Sequence, residues 1–240
     1  MTEGKYVFVI NLGSSAIRLA LIDDKANLRW ISSRDFKELT IQDDIYEYDA
    51  QQWLTLLEEL MQEAKVWVTD LENVEAIILT AQRSSVVAVD EKGVPLYPVL
   101  AWQDRRHAMT CYHLEKDNPR VREITGAPIR YAYSGPKMVW LKERENKIYE
   151  RSYKLMNPQE FLTFHLTGEC KTDYTYASRS NLFDIHEKKW SAELLESFGI
   201  SEDKLCEVVE PGSTLGIVKS EWSSQWGLPD GLPLISAGGD

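Results

Sequence analysis

The chain has 240 residues, 43% of them hydrophobic, enough to fill one large core or two small ones. Its 27 Lys and Arg against 38 Asp and Glu leave a formal charge of −11 with no basic patch, which argues against nucleic acid or an anionic membrane as partner. Cys111, Cys170 and Cys206 form no Cys-x-x-Cys and no metal spacing with the four histidines, which suits a reducing cytoplasm.

In chain order, Tyr6 to Leu12 reads as a strand, Gly13-Ser14-Ser15 as a turn, and Ile17 to Ile22 and Leu28 to Ser32 as two further strands. The polar residues Asn11, Ser14, Ser15 and Arg18 interrupt the first apolar run well before membrane-spanning length, so it reads as neither signal peptide nor anchor. From Asp49 as N-cap, Trp53, Leu56, Leu57, Leu60, Met61, Ala64 and Trp67 follow helical spacing. Buried strands are expected at Ala76 to Thr80, Val86 to Val89 and Val99 to Trp102. Helices are predicted at Arg105 to Lys116, Pro136 to Asn146, Asn157-Pro158 to Leu166 before Gly168, and Ser191 to Phe198 before Gly199. A last strand, Leu232 to Ser236, runs straight into Gly238-Gly239-Asp240. Antiparallel strands followed by helix–strand alternation predict an α/β fold with a mixed sheet and flanking helices, residues 1–240 forming one domain.

Four stretches carry candidate chemistry. Gly13-Ser14-Ser15 can turn N–H groups and hydroxyls towards a phosphate while Arg18 adds charge, or it is an ordinary hairpin. Gln82 and Arg83 follow a buried strand, where an arginine can fork onto hydroxyls or make a surface ion pair. Trp102, Gln103 and Asp104 combine an aromatic wall with polar groups, as a polyol's mixed faces require, although Asp104 can instead cap the next helix. Asp240 stands past a glycine pair at a strand's end, where open α/β sheets place ligands. It can take a proton from an attacking hydroxyl, or cap a helix beyond.

Together, Asn11-Leu12-Gly13-Ser14-Ser15-x-x-Arg18, Gln82-Arg83, Trp102 to Arg106, Ser134 to Leu141, Thr172 to Arg179 and Gly238-Gly239-Asp240 resemble, in order, the first domain of FGGY-family carbohydrate kinases. Gln82-Arg83, Trp102-Gln103, Ala177-Ser178-Arg179 and Leu182 to His186 look most like the glycerol kinase branch. The resemblance implies a ribonuclease-H-like, actin-like ATPase core and ATP-dependent phosphorylation of a sugar or polyol. It implies Asp240 as catalytic base, Gly13, Ser14, Ser15 and Arg18 at the nucleotide phosphates, and Gln82, Arg83, Trp102, Gln103 and Asp104 at the acceptor. It also implies a C-terminal domain that completes the site for ATP and Mg²⁺, with a homodimer as one state of assembly. Three positions depart from what the resemblance implies: Asn11 for the family's aspartate near the metal and, against the glycerol kinase pattern, Ser84 for a glutamate and Ala132 for a tyrosine. An amide is a poorer Mg²⁺ ligand than a carboxylate, so a catalytically weakened, sugar-binding regulatory relative is the alternative.

Overall fold

Six strands form the central sheet of the protein, a computed structural model that describes residues 4–239. Asp240 and the side chains of residues 38–40 lie outside the described residues. Across the sheet the order is Thr214–Ile217, Pro233–Ser236, Val74–Ala81, Tyr6–Leu12, Ala16–Asp23 and Leu28–Asp35. The last three make the expected antiparallel meander. Phe8, Ile10 and Leu12 are buried at alternate positions of the first strand, as the two-residue strand period requires. Tyr6–Leu12, Val74–Ala81 and Pro233–Ser236 are mutually parallel neighbours, so Leu12, Ala81 and Ser236 all end on one edge of the sheet.

A parallel pair needs a crossover, and the helix Gln51–Trp67 lies in the first one. Its apolar stripe, Trp53, Leu57, Leu60, Met61 and Ala64, packs towards Ala16–Asp23 and Leu28–Asp35. Fully burying a leucine-sized side chain contributes about 1.5–3 kcal/mol. Trp53 meets Phe36 and Phe161 edge-on, which ties this helix to Pro158–Thr167. A second hydrophobic cluster, including Val86, Leu100, Ile129, Met138, Leu141 and Phe198, gathers the helices Ala108–Asp117, Ser134–Arg144 and Ala192–Phe198.

Several boundaries differ from expectation for local reasons. Asp49 accepts from Gln51 N–H at 2.9 Å, but Ala50 is the residue at the cap. The helix expected from Arg105 starts at Ala108, because Arg105 N–H donates to Asp44 O at 2.8 Å and Arg106 N–H to the Asp104 carboxylate. The helix expected over Pro136 to Asn146 begins at Ser134 and stops at Arg144, and Asn146–Arg151 is separate. The pairs Lys171–Asp173 with Glu207–Val209 and Phe183–Asp184 with Lys189–Trp190 were not expected. Strands of two or three residues are too short to show a period.

Candidate active site

The edge where the three parallel strands end carries the polar residues that follow them. Asn11 lies opposite Arg18 on one side and Thr80 on the other. At the hairpin, Gly13 N–H donates to Ala16 O at 2.9 Å. A Cβ on Gly13 would stand 3.3 Å from Ala16 O and 3.4 Å from Arg18 Nη1, so the guanidinium lies against the turn. Ser14 Oγ accepts from Trp102 Nε1 at 3.1 Å, which leaves the serine's own O–H available to an oxygen in the cleft. Ser15 is exposed at the tip.

Gln82 N–H donates to Leu12 O at 2.7 Å, continuing the strand pairing into the site. Ser85 Oγ accepts from Trp102 N–H at 3.1 Å and donates to Gln82 Oε1 at 3.3 Å. Between them Ser84 adopts φ +74°, a left-handed conformation that costs a non-glycine residue about 1–2 kcal/mol. These bonds assemble a cleft of about 250 Å³, lined by Ser14, Gln82, Arg83, Ser84, Trp102, Ala132 and Arg179. The volume suits a small polar molecule.

Two guanidiniums, and among the described residues no carboxylate, line the cleft, against the acidic balance of the chain as a whole. Arg179 lies over the Tyr133 ring at 4.4 Å and donates to its hydroxyl at 3.2 Å, and its Nε is buried without a partner. Its backbone is fixed by the next helix: Ser134 N–H donates to Arg179 O at 3.1 Å and Gly135 N–H to Ser180 O at 2.9 Å. A Cβ on Gly135 would fall 2.1 Å from Ser180 O, so this approach is open only to glycine. Gln82 Nε2 and Gln103 Oε1 are likewise buried and unpartnered.

The glycine loop closes the site. Ala237 N–H donates to Leu79 O at 3.0 Å, Thr80 Oγ1 to Gly238 O at 2.8 Å, and Gly239 N–H to Thr175 Oγ1 at 2.7 Å. Thr175 Oγ1 in turn donates to Asp173 Oδ1 at 2.6 Å, and Ser236 Oγ donates to Asp173 Oδ2. Gly238 has φ +82°, and a Cβ on Gly239 would fall 2.3 Å from Arg83 Cδ. Glycine therefore lets the loop and the arginine share one space. Asp240, the expected base, follows directly and lies outside the described residues.

Asp104 stands apart from the cleft. It is wholly buried, absent from the cleft lining, and occupied by Tyr46 N–H at 2.9 Å and by Arg106 at 2.7–3.0 Å. Burial pushes its carboxyl up, but the His107 ring beside it and the bonds from Arg106 and Tyr46 outweigh burial and hold it down at about 2. Holding the turn, close to the capping role that the sequence left open, is what its geometry does. Gln103 is partly buried beside Trp102 and does not line the cleft.

Three lining residues, Ser84, Ala132 and Arg179, were not among the expected site residues. The signal for Arg179 was the dense polar run from Thr172, which has neither helical nor strand periodicity. Behind the wall, the buried Lys137 ammonium donates to Tyr131 O at 2.5 Å and Tyr133 O at 3.2 Å, fixing the backbone on both sides of Ala132. For a cation, Asn11 offers one buried, unpartnered amide oxygen, Oδ1. Among the described residues no group of three or more His, Cys, Asp or Glu side chains is placed to hold a metal. A single neutral amide oxygen is a weaker cation donor than a carboxylate.

The FGGY family of carbohydrate kinases, N-terminal domain, matches residues 6–240. This chain belongs to that family. The FGGY chain is 29% identical over 237 residues to the xylulose kinase of Lactococcus lactis, covering 98% of this chain and 47% of that protein. It is 31% identical over 249 residues to the glycerol kinase of Mycoplasmoides gallisepticum, covering 100% of this chain and 49% of that one. Among solved structures, a xyloylose kinase from Brucella ovis superposes with a TM-score of 0.92 at 25% identity, over 97% of this chain and 48% of that one. The FGGY chain thus spans about half the length of the relatives it matches. Its mixed sheet with flanking helices is the actin-like ATPase fold expected of the family.

Proposed function

We propose that residues 1–240 form a single domain, the acceptor-binding half of an ATP-dependent sugar or polyol kinase, completed by a C-terminal domain. The observation that carries this reading is the convergence of Asn11, the Gly13-Ser14 turn, Gln82-Arg83 and Gly238-Gly239 on one edge of the sheet. Open α/β sheets bind ligands beyond the carboxyl ends of parallel strands. The xylulose and glycerol kinase relatives support a carbohydrate hydroxyl as acceptor.

In this reading Arg83, Gln82 and Trp102 orient the acceptor, with the indole as apolar wall and the guanidinium and amide on its hydroxyls. Ser14 and Arg18 meet phosphate oxygens from the hairpin side. ATP supplies the phosphoryl group, and Mg²⁺ offsets its charge. Asp240 receives the proton of the attacking hydroxyl, a step that needs positioning more than covalent chemistry. Hydrogen bonds pin Ala237, Gly238 and Gly239, the residues that lead to Asp240 in the chain.

The test is ADP release by the complete protein against glycerol, erythritol, xylulose, ribulose and gluconate, with Asp240→Asn as control. Turnover on one acceptor, abolished by the substitution, is expected; silence across the panel from folded, ATP-binding protein would overturn the reading. A regulatory, catalytically weakened relative is the second reading, favoured by the neutral Asn11. Asn11→Asp separates the two: in the complete protein it raises phosphoryl transfer if a metal contact alone was weakened. No gain, from a protein silent on every acceptor, favours the regulator.

A further inference from the structure

Cys170 and Cys206 each stand one residue before a short strand, and those strands pair. Lys171–Asp173 runs parallel to Glu207–Val209 with Lys171 opposite Glu207, and Glu207 N–H donates to Cys170 O at 2.9 Å. One step back in the same register, the two cysteines face each other. Neighbouring strands lie roughly 4.8 Å apart, inside the Cα separation of about 4.4–6.8 Å that a disulfide spans. The two thiols lie close enough to affect each other's ionisation.

Their surroundings differ. Cys170 is half-buried, with the Tyr153 hydroxyl and the Lys154 ammonium beside its sulfur. Lys154 is held there by donating to Asp203 O at 2.6 Å and Leu205 O at 2.7 Å, on the segment that leads into Cys206. Cys206 is buried; its carbonyl accepts from Trp190 Nε1 at 2.9 Å and its thiol lies near the buried Glu160 carboxyl. The neighbouring Cys206 thiol, with Lys154's charge, holds the Cys170 thiol down at about 7. The Cys170 sulfur beside it, burial and Glu160 together push Cys206 well above the ordinary thiol range. One sulfur is thus a ready thiolate at the surface and the other a protonated thiol beneath it.

We propose that Cys170 and Cys206 are a reversible dithiol–disulfide pair, with Cys170 the attacking thiolate and Cys206 the resolving thiol. The oxidant is a peroxide. The Cys170 thiolate attacks one peroxide oxygen and the O–O bond breaks. The displaced hydroxide takes a proton to become water, and Cys170 is left as a sulfenic acid. Cys206 then attacks the Cys170 sulfur; its proton passes to the departing hydroxide, with the Glu160 carboxyl beside it as relay, and a second water leaves. Two thiols and one peroxide give one disulfide and two waters, and a dithiol reductant reverses the change by exchange.

Tryptic mapping of the complete protein after peroxide treatment and alkylation, without reduction, tests the pair directly. Trypsin cuts after Lys154, Lys171, Lys204 and Lys219. The disulfide therefore appears as the peptide Leu155–Lys171 joined to Leu205–Lys219, lighter by two hydrogens than their sum and separated by dithiothreitol. In Cys206→Ser, Cys170 should carry a sulfenic acid that dimedone traps; in Cys170→Ser, Cys206 should stay unmodified. The joined peptide failing to form in folded wild-type protein overturns the proposal, whatever the variants do. So does dimedone labelling of Cys206 instead of Cys170, or Cys111 reacting as fast as Cys170. None of these readouts depends on kinase activity.

Discussion

Lys137 is wholly buried beside the cleft wall, a position lysines rarely occupy unpaired. Burial pushes its ammonium down to about 7, with Asp104's charge opposing. A neutral amine still has the two hydrogens that Tyr131 O and Tyr133 O accept. Because the folded value lies below the unfolded one, the unfolded chain binds more protons between about pH 7 and about pH 10, and stability rises with pH across that window. Lys137→Met should remove this rise relative to wild type in denaturant titrations, whatever its cost at one pH; an unchanged slope would show that the amine stays charged. Gly239 is the second telling residue. Gly239→Ala places a Cβ 2.3 Å from Arg83 Cδ, so the arginine must leave its place. In the proposed kinase the acceptor KM should rise about tenfold or more with a smaller change in kcat, as loss of one charged hydrogen bond implies. Arg83→Ala should match it, and an unaffected KM in both would remove Arg83 from the acceptor site.

Among elements, the helix Pro158–Thr167 is the most completely specified by local sequence. Asn157 Oδ1 accepts from Glu160 N–H at 3.1 Å, Glu160 Oε2 accepts from Asn157 N–H at 2.8 Å, and Gly168 ends the helix at φ +84°. Proline, capping residue and glycine were all legible, and the boundaries came out within a residue. Asn157→Ala should cost about 1 kcal/mol, seen as a Tm lower by about 2–4 °C. Helix Ser134–Arg144 shows the opposite case. Its start is set by contact with residues 179–180, far away in sequence, so the prediction from Pro136 missed the first turn. Gly135→Ala forces a Cβ against Ser180 O, and we expect a loss of about 1–3 kcal/mol in chemical denaturation together with displacement of Arg179. An alanine variant as stable as wild type would mean that the helix can retreat freely.

At the scale of the whole molecule, the chain carries −11 in formal charge yet turns two guanidiniums into its candidate cleft. Arginines facing the cleft of an acidic body offer forked donors to hydroxyl or phosphate oxygens, while the remaining surface repels polyanions. The chain spans about half of each relative it matches. Residues 1–240 alone should therefore bind the acceptor weakly in calorimetry and release little ADP, and the complete protein should turn over. Equal turnover by both would place the whole reaction within this half.

What the sequence determined by itself was mostly local and periodic: the opening meander, the amphipathic stripe from Trp53 to Ala64, and the capped helix at Asn157. The order of its short polar motifs was enough to place the chain in its family. These features are readable because each depends on neighbours within a turn or a strand of the chain. Tertiary structure alone decided that Asn11, Gly13, Arg83 and Gly238 share one edge, since that follows from three parallel strands far apart in sequence. It also decided that Asp104 holds a turn, that Arg179 reaches the cleft, and that Cys170 meets Cys206. Such roles depend on which groups burial leaves without water, and no stretch of sequence contains both partners.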